Sequence, residues 1–199
     1  MFTGIIEQKA KVVALNKETG NLHLTFSSGI TDELKIDQSV AHNGVCLTVV
    51  NIAETEYTVT AIEETLLKTN LGDLKIADEV NIERCMPANG RFDGHIVQGH
   101  VDTTATCKEV RETNGSWYFS FNYEPKEKHH VTVEKGSVCI NGVSLTVVES
   151  GIGFFSVAII PYTFEHTNFK HLRVGDKVNL EFDIIGKYVA RMLQQSHLI

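Results

Sequence analysis

The chain contains one passage twice. Ser39 to Val50 (SVAHNGVCLTVV) returns as Ser137 to Val148 (SVCINGVSLTVV), with nine of twelve positions matching at an offset of 98. The same offset carries Thr65, Thr69, Asn70, Leu74, Asp78, Val80, Asn81 and Glu83 onto Thr163, Thr167, Asn168, Leu172, Asp176, Val178, Asn179 and Glu181. The period is too long for a solenoid or propeller, and two copies are too few for an array. A duplicated domain is therefore expected. The 199 residues divide into two units of roughly 100 residues, each able to bury a small core.

The first residues join this pattern. Gly4-Ile5-Ile6-Glu7 aligns with Gly99-His100-Val101-Asp102 at an offset of 95. They read as folded domain and carry neither the basic nor the long apolar region of a signal peptide. Pro87-Ala88-Asn89-Gly90-Arg91 is rich in turn formers and reads as a linker. The expected units are 1–90, 91–184 and a tail, 185–199.

Net charge is -7 with no basic tract, which argues against nucleic-acid binding. No apolar run is long enough to span a bilayer. Cys46, Cys85, Cys107 and Cys139 form no C-x-x-C pair, so a structural zinc site is not expected. Reduced thiols in a cytoplasmic protein are the plain expectation.

Short alternating runs indicate strands: Leu22–Phe26, Tyr57–Ile62, Val80–Glu83, Trp117–Phe121, Phe154–Ile160 and Val178–Glu181. Asn43-Gly44 and Asn141-Gly142 are hairpin turns, and Gly151-Ile152-Gly153 reads as another. One short helix per half is expected, near Glu64–Thr69 and Phe164–Asn168. Many short strands with little helix predict a mainly β fold of closed antiparallel barrels, which leave no exposed edge. Ile185, Val189, Met192 and Leu193 then fall at helical spacing. This predicts an amphipathic helix over Ile185–His197 that either covers its own barrel or joins an oligomer.

The copies differ where reactive groups stand. Cys46 faces Ser144 in the alignment, His100 faces Ile5, Lys135 faces Asp37 and His42 faces Ile140. Similar pockets with unlike side chains would hold similar ligands and treat them differently. Cys46 reads either as a small buried hydrophobe or as a nucleophilic or hydrogen-bonding thiol, which would need a positive neighbour to ionise. His95 and His100 would point to opposite faces of a strand, so they are not expected to share a metal. His100 is either a general base or a solvated surface residue. Ser39 and Ser137 suit turn-stabilising hydroxyls. His129-His130 reads as a solvated, charged loop. No P-loop, dinucleotide fingerprint or nucleophile elbow is present, so no cofactor and no metal are expected.

These residues together resemble a family. Met1-Phe2-Thr3-Gly4-Ile5, Ser39–Val50, Asn89–Phe92, Gly94–Asp102, Lys135–Val148, Ile160–Thr163 and Asp183–Tyr188 are similar to the riboflavin synthases of the homotrimeric two-barrel type, over essentially the whole chain. The resemblance implies two six-stranded antiparallel Greek-key barrels. It implies the dismutation of two 6,7-dimethyl-8-ribityllumazine molecules to riboflavin and 5-amino-6-(ribitylamino)uracil by transfer of a four-carbon unit, without cofactor. Two identical substrates would explain two similar pockets.

By the same resemblance, His100 serves proton transfer, and Cys46 and Ser39 act as nucleophile or proton relay. The implied ligand shell of the first half is Gly4, Ile5, Ile6, Cys46, Leu47, Thr48, Thr60, Ala61, Ile62, Glu63, Glu64 and Thr65. That of the second half is Gly99, His100, Val101, Lys135, Ser144, Leu145, Thr146, Ala158, Ile159, Ile160, Pro161, Tyr162 and Thr163, with Asp183. The first barrel of one chain would face the second barrel of a neighbour in a homotrimer, so that Cys46 and His100 meet between chains. Association with a lumazine synthase shell is left open. Thr103 and Tyr162 stand where relatives commonly have Gly and His, which leaves the Tyr162 contact open. The rivals are a non-catalytic lumazine- or flavin-binding protein of the same fold, and a flavin-reductase-like barrel. Ser39, Cys46 and His100 are all present, which favours the enzyme over the first. The lack of a nucleotide-binding α/β half argues against the second.

Overall fold

The computed structural model describes residues 1–196. Six strands form the first barrel: β1 (Gln8–Glu18), β2 (Asn21–Ser27), β3 (Ser39–His42), β4 (Val45–Ala53), β5 (Glu56–Ala61) and β6 (Glu79–Arg84). They close in the order β1-β2-β5-β4-β3-β6. The second barrel repeats this order with β7 (Thr103–Thr113), β8 (Ser116–Tyr123), β9 (Ser137–Ile140), β10 (Val143–Gly151), β11 (Phe154–Ile159) and β12 (Lys177–Phe182). All pairings are antiparallel. This is the mainly β, two-barrel fold that the sequence predicts.

Alternation sends one face of each strand inward. Leu22, Leu24 and Phe26 of β2 fill the first core with Tyr57, Val59 and Ile82. Phe119, Phe121, Phe155, Phe169 and Leu180 fill the second. Asn43 (φ 46°), Gly44 (φ 78°), Asn141 (φ 46°) and Gly142 (φ 82°) take the left-handed conformations of type I′ hairpins.

Helix α1 spans Glu63–Lys68 and α2 spans Pro161–His166. The second starts three residues before the expected Phe164. Pro161 has its φ preset for a first helical turn, where its missing N–H costs nothing. Helix α3 runs Ile184–Ser196. The last residue of the expected Ile185–His197 helix lies outside the described residues.

The outer faces of β6 and β12 are not solvated. Asn81, Glu83, Asn179 and Glu181 are 1, 5, 1 and 3% exposed, because each barrel covers the other at that face. Six asparagines cross the seam. Asn81 Nδ2 donates to Asn141 O and to Asn168 Oδ1, both at 2.9 Å. Asn179 Nδ2 donates to Asn43 O at 2.9 Å, and the Asn70 amide donates to Asn179 Oδ1 at 2.6 Å. At the centre the two hairpins touch: a Cβ on Gly44 would lie 2.8 Å from the Gly142 nitrogen. Only glycine fits there.

Candidate functional site

The leading segment of each half crosses to the other barrel. Phe2 and Val97, equivalent in the repeat, bridge one another as a β pair. Beyond them Gly4 O accepts the Ser144 amide at 2.8 Å, and Gly99 O accepts the Cys46 amide at 2.9 Å. Ile6 packs on the second core and Val101 on the first. The approach is as close as backbones allow. A Cβ on Gly4 would lie 2.6 Å from Ser144 Cβ, and one on Gly99 2.6 Å from Cys46 Cβ.

The segments therefore group across the two halves. Gly4 and Ile6 stand with the Ser144 strand and core of the second barrel, while Gly99 and Val101 stand with the Cys46 strand and core of the first. Cys46 and the Gly99–His100 segment also meet within one chain, through a backbone bond, with no neighbour required.

Around Cys46 the groups gather by register. Ser39 pairs with Thr48 and Ala41 with Cys46 across the β3–β4 hairpin. Ser39 and Cys46 therefore share one face of the hairpin, on the diagonal. Burial raises the thiol pKa, and the Ser39 side chain pulls it partly back. Cys46 therefore keeps its proton and is suited to relay it rather than to attack as a thiolate. His100 is exposed at the rim. Leu47 and Ala61 are buried in the core, Thr48 is exposed, Thr60 and Thr65 are half-buried, and Ile62, Glu63 and Glu64 are exposed where β5 runs into α1.

The second barrel carries the matching set with other chemistry. Ser144 replaces Cys46, and its hydroxyl lies 2.7 Å from His95 Nδ1. Burial lowers the His95 pKa, while Asp183 opposes this. His95 was not among the expected site residues. It has no partner in the repeat, and the strand argument used for it fails because 94–96 is irregular chain. Leu145 is buried, Thr146 exposed and Ala158 half-buried; Ile159 is buried at the end of β11. Ile160, Pro161 and Tyr162 are exposed and Thr163 half-buried at the start of α2. Lys135 is exposed in a turn (φ 65°) ahead of β9. Asp183 Oδ1 accepts the Ile185 amide at 2.9 Å and so opens α3.

Two clefts flank these groups. Ile5 lines one of 490 Å³ with Gln38, Glu83 and Arg84. His100 and Val101 line another of 590 Å³ with Lys68, Asp102, His130 and Lys187. His130 is 4% exposed and stacks on Phe182 at 5.0 Å, which overturns the reading of that histidine as solvated, while His129 is half-buried. Asp102, His129 and His130 bring ligand atoms within 4.8 Å of one another. The Lys187 ammonium lies 2.7 Å from the Asp102 carboxylate and already balances its charge.

Comparison with known proteins fits this geometry. The model of the lumazine binding domain matches residues 3–85 and again 98–183. A riboflavin synthase of Actinobacillus pleuropneumoniae is 41% identical over 194 residues, spanning 97% of this chain and 90% of its own. That of Bacillus subtilis (strain 168) is 38% identical over 198 residues, spanning 99% and 92%. The chain belongs to the riboflavin synthase family. The fold of this family is shared by LumP, solved in complex with 6,7-dimethyl-8-(1'-D-ribityl) lumazine: TM-score 0.82 at 21% identity, covering 91% of this chain and 98% of that one.

The family's two lumazine-binding repeats coincide with the two barrels. What the sequence did not disclose is the exchange of leading segments.

Proposed function

We propose that the chain carries out the riboflavin synthase reaction. Two 6,7-dimethyl-8-ribityllumazine molecules give riboflavin and 5-amino-6-(ribitylamino)uracil. Four carbons pass from one to the other, so atoms and electrons balance without an outside oxidant. The observation that carries this is the pairing of full-length likeness to riboflavin synthases with two barrels whose equivalent positions carry unlike groups, Cys46 against Ser144 and His100 against Ile5.

We place Ser39, Cys46 and His100 in one pocket and Ser144, His95, Lys135 and Asp183 in the other. Donor and acceptor must be treated differently although they start identical. The lumazine 7-methyl group is acidic because its anion delocalises into the ring. We assign His100 to moving that proton, and Ser39 and Cys46 to a relay beside it. The remaining shell residues would seat the ring edge and ribityl chain, with Thr48, Thr60 to Thr65, Thr146 and Ala158 to Thr163 at the two barrel mouths. Stacking two planar ligands in fixed register would supply much of the rate.

We further propose two units meeting near Gly90, and a homotrimer held through 185–199. On α3, Ile185, Tyr188, Val189 and Met192 are 65, 68, 49 and 67% exposed, and a helix with this much outward apolar surface suits burial against a copy. The first pocket of one chain would then face the second of its neighbour. A cytoplasmic location fits the free thiols of all four cysteines. Association with a lumazine synthase shell is proposed on family likeness alone.

The test is incubation of the purified chain with the lumazine alone, in the dark. Riboflavin formation supports the reading. Binding without turnover contradicts it.

A further inference from the structure

The repeat places a carboxylate, Glu83 and Glu181, at outward positions of β6 and β12. Both are buried, and both hold a crossing segment. Glu83 accepts the Thr3 amide (2.7 Å), the Thr3 hydroxyl (2.8 Å) and the Gly4 amide (2.9 Å). Glu181 accepts three successive amides: Gln98 (2.7 Å), Gly99 (3.0 Å) and His100 (2.9 Å).

The difference lies in what is held. Residues 98–100 belong to no helix or strand, and Glu181 orients their three amides. Gly99 at φ 80° turns successive N–H groups toward one point, an anion-binding nest. Its carbonyl is fastened to Cys46 on the other side. Glu181 therefore links the backbone of His100 to the strand of Cys46. Glu83 does the same for a segment with Ile5 in the place of His100, which has no proton to move.

We propose that Glu181 is a positioning residue for the reaction, fixing the backbone of His100 at the first pocket, and that Glu83 is its counterpart without a proton-transfer role. This rests on the role assigned to His100 above. Replacing Glu181 by Gln keeps the volume but turns an NH₂ toward at least one donor, so part of the nest is lost. Burial raises the pKa of both carboxylates while the donated bonds oppose it, which makes the two a matched pair apart from their cargo.

The test compares Glu181→Gln and Glu83→Gln in the full chain. Two readouts are used: kcat and KM for the lumazine, and the ring ¹H–¹³C signal of His100. Glu181→Gln should lower kcat at least about tenfold with a smaller change in KM, and should shift or broaden the His100 signal. Glu83→Gln should act mainly on KM and leave that signal in place. Wild-type kcat and an unmoved signal in Glu181→Gln would overturn the proposal, as would equal kcat losses in both variants. If Glu181→Gln does not fold, Glu181→Asp serves: it keeps the charge, falls short of the nest and should show the same split. If the wild type turns over no lumazine, the reaction assignment fails, while the His100 signal still decides whether Glu181 positions it.

Discussion

The Gly99 carbonyl accepts the Cys46 amide at 2.9 Å, tying the start of the second half to the edge of the first barrel. The two halves are therefore not beads on a string. Each lends a strip of backbone to the other barrel, Gly4 to the Ser144 strand and Gly99 to the Cys46 strand.

Gly99 should tolerate no side chain. At φ 80° and with Cys46 Cβ 2.6 Å from the added atom, Gly99→Ala meets both backbone strain and a backbone neighbour. Gly115, at φ 76° with nothing within 4 Å, meets the strain alone. Gly99→Ala is expected to cost about 1–3 kcal/mol more than Gly115→Ala in denaturant unfolding and to depress kcat/KM. Equal costs would show that the close approach is absent.

His100→Ala and Cys46→Ala should slow turnover far more than they weaken lumazine binding. Loss of a positioned proton-transfer group costs about 10²-fold or more. Stopped-flow turnover beside fluorescence titration separates the two effects. Unchanged turnover in both variants would refute their assigned roles.

The asparagine seam should be cooperative. Asn81→Ala removes the bonds to Asn141 O and Asn168 Oδ1 and the acceptor of the Asn168 amide, which bonds Asn81 Oδ1 at 2.7 Å. Buried partners left unsatisfied cost about 1–3 kcal/mol each. A loss of about 2–4 kcal/mol is expected in chemical denaturation at fixed protein concentration. A loss below about 1 kcal/mol would mean that water replaces the network.

His42 gives the pH dependence a definite sign. It is fully buried, and desolvation pushes its pKa down to about 3. Its Nε2 lies 2.8 Å from the Tyr57 hydroxyl and its Nδ1 3.1 Å from Val40 O. The unfolded chain protonates first, near the ordinary value of about 6.5. The stability from neutral His42 is thus whole above that pH and is lost progressively as pH falls toward 3. The slope of Tm between about pH 7 and 5 should be shallower in His42→Gln than in the wild type. Parallel slopes would show that His42 is not the linked group.

Helix α3 should govern assembly. Val189→Glu with Met192→Glu places charge on its exposed apolar face and is expected to reduce the proposed trimer to monomer in sedimentation. A trimer that survives both changes would move the contact elsewhere.

The barrels were largely legible because alternation in Leu22–Phe26 or Trp117–Phe121 directly reports one wet face and one dry face. The seam was harder. Asn81 and Glu83 alternate with Val80 and Ile82 and so look solvated, yet both faces of β6 are buried. Their exact repetition as Asn179 and Glu181 was the available sign that the outer face matters too. His95 was misread for another reason: its position depends on an irregular segment, where period-two reasoning has no force. The meeting of Cys46 with the Gly99–His100 segment within one chain depends on a crossing that no local pattern encodes.

The product balance tests the account most directly. With lumazine alone, in the dark and without cofactor, two lumazines should disappear for each riboflavin formed, with one equivalent of 5-amino-6-(ribitylamino)uracil alongside. Lumazine bound and recovered unchanged, or riboflavin without its pyrimidine partner, would contradict the account.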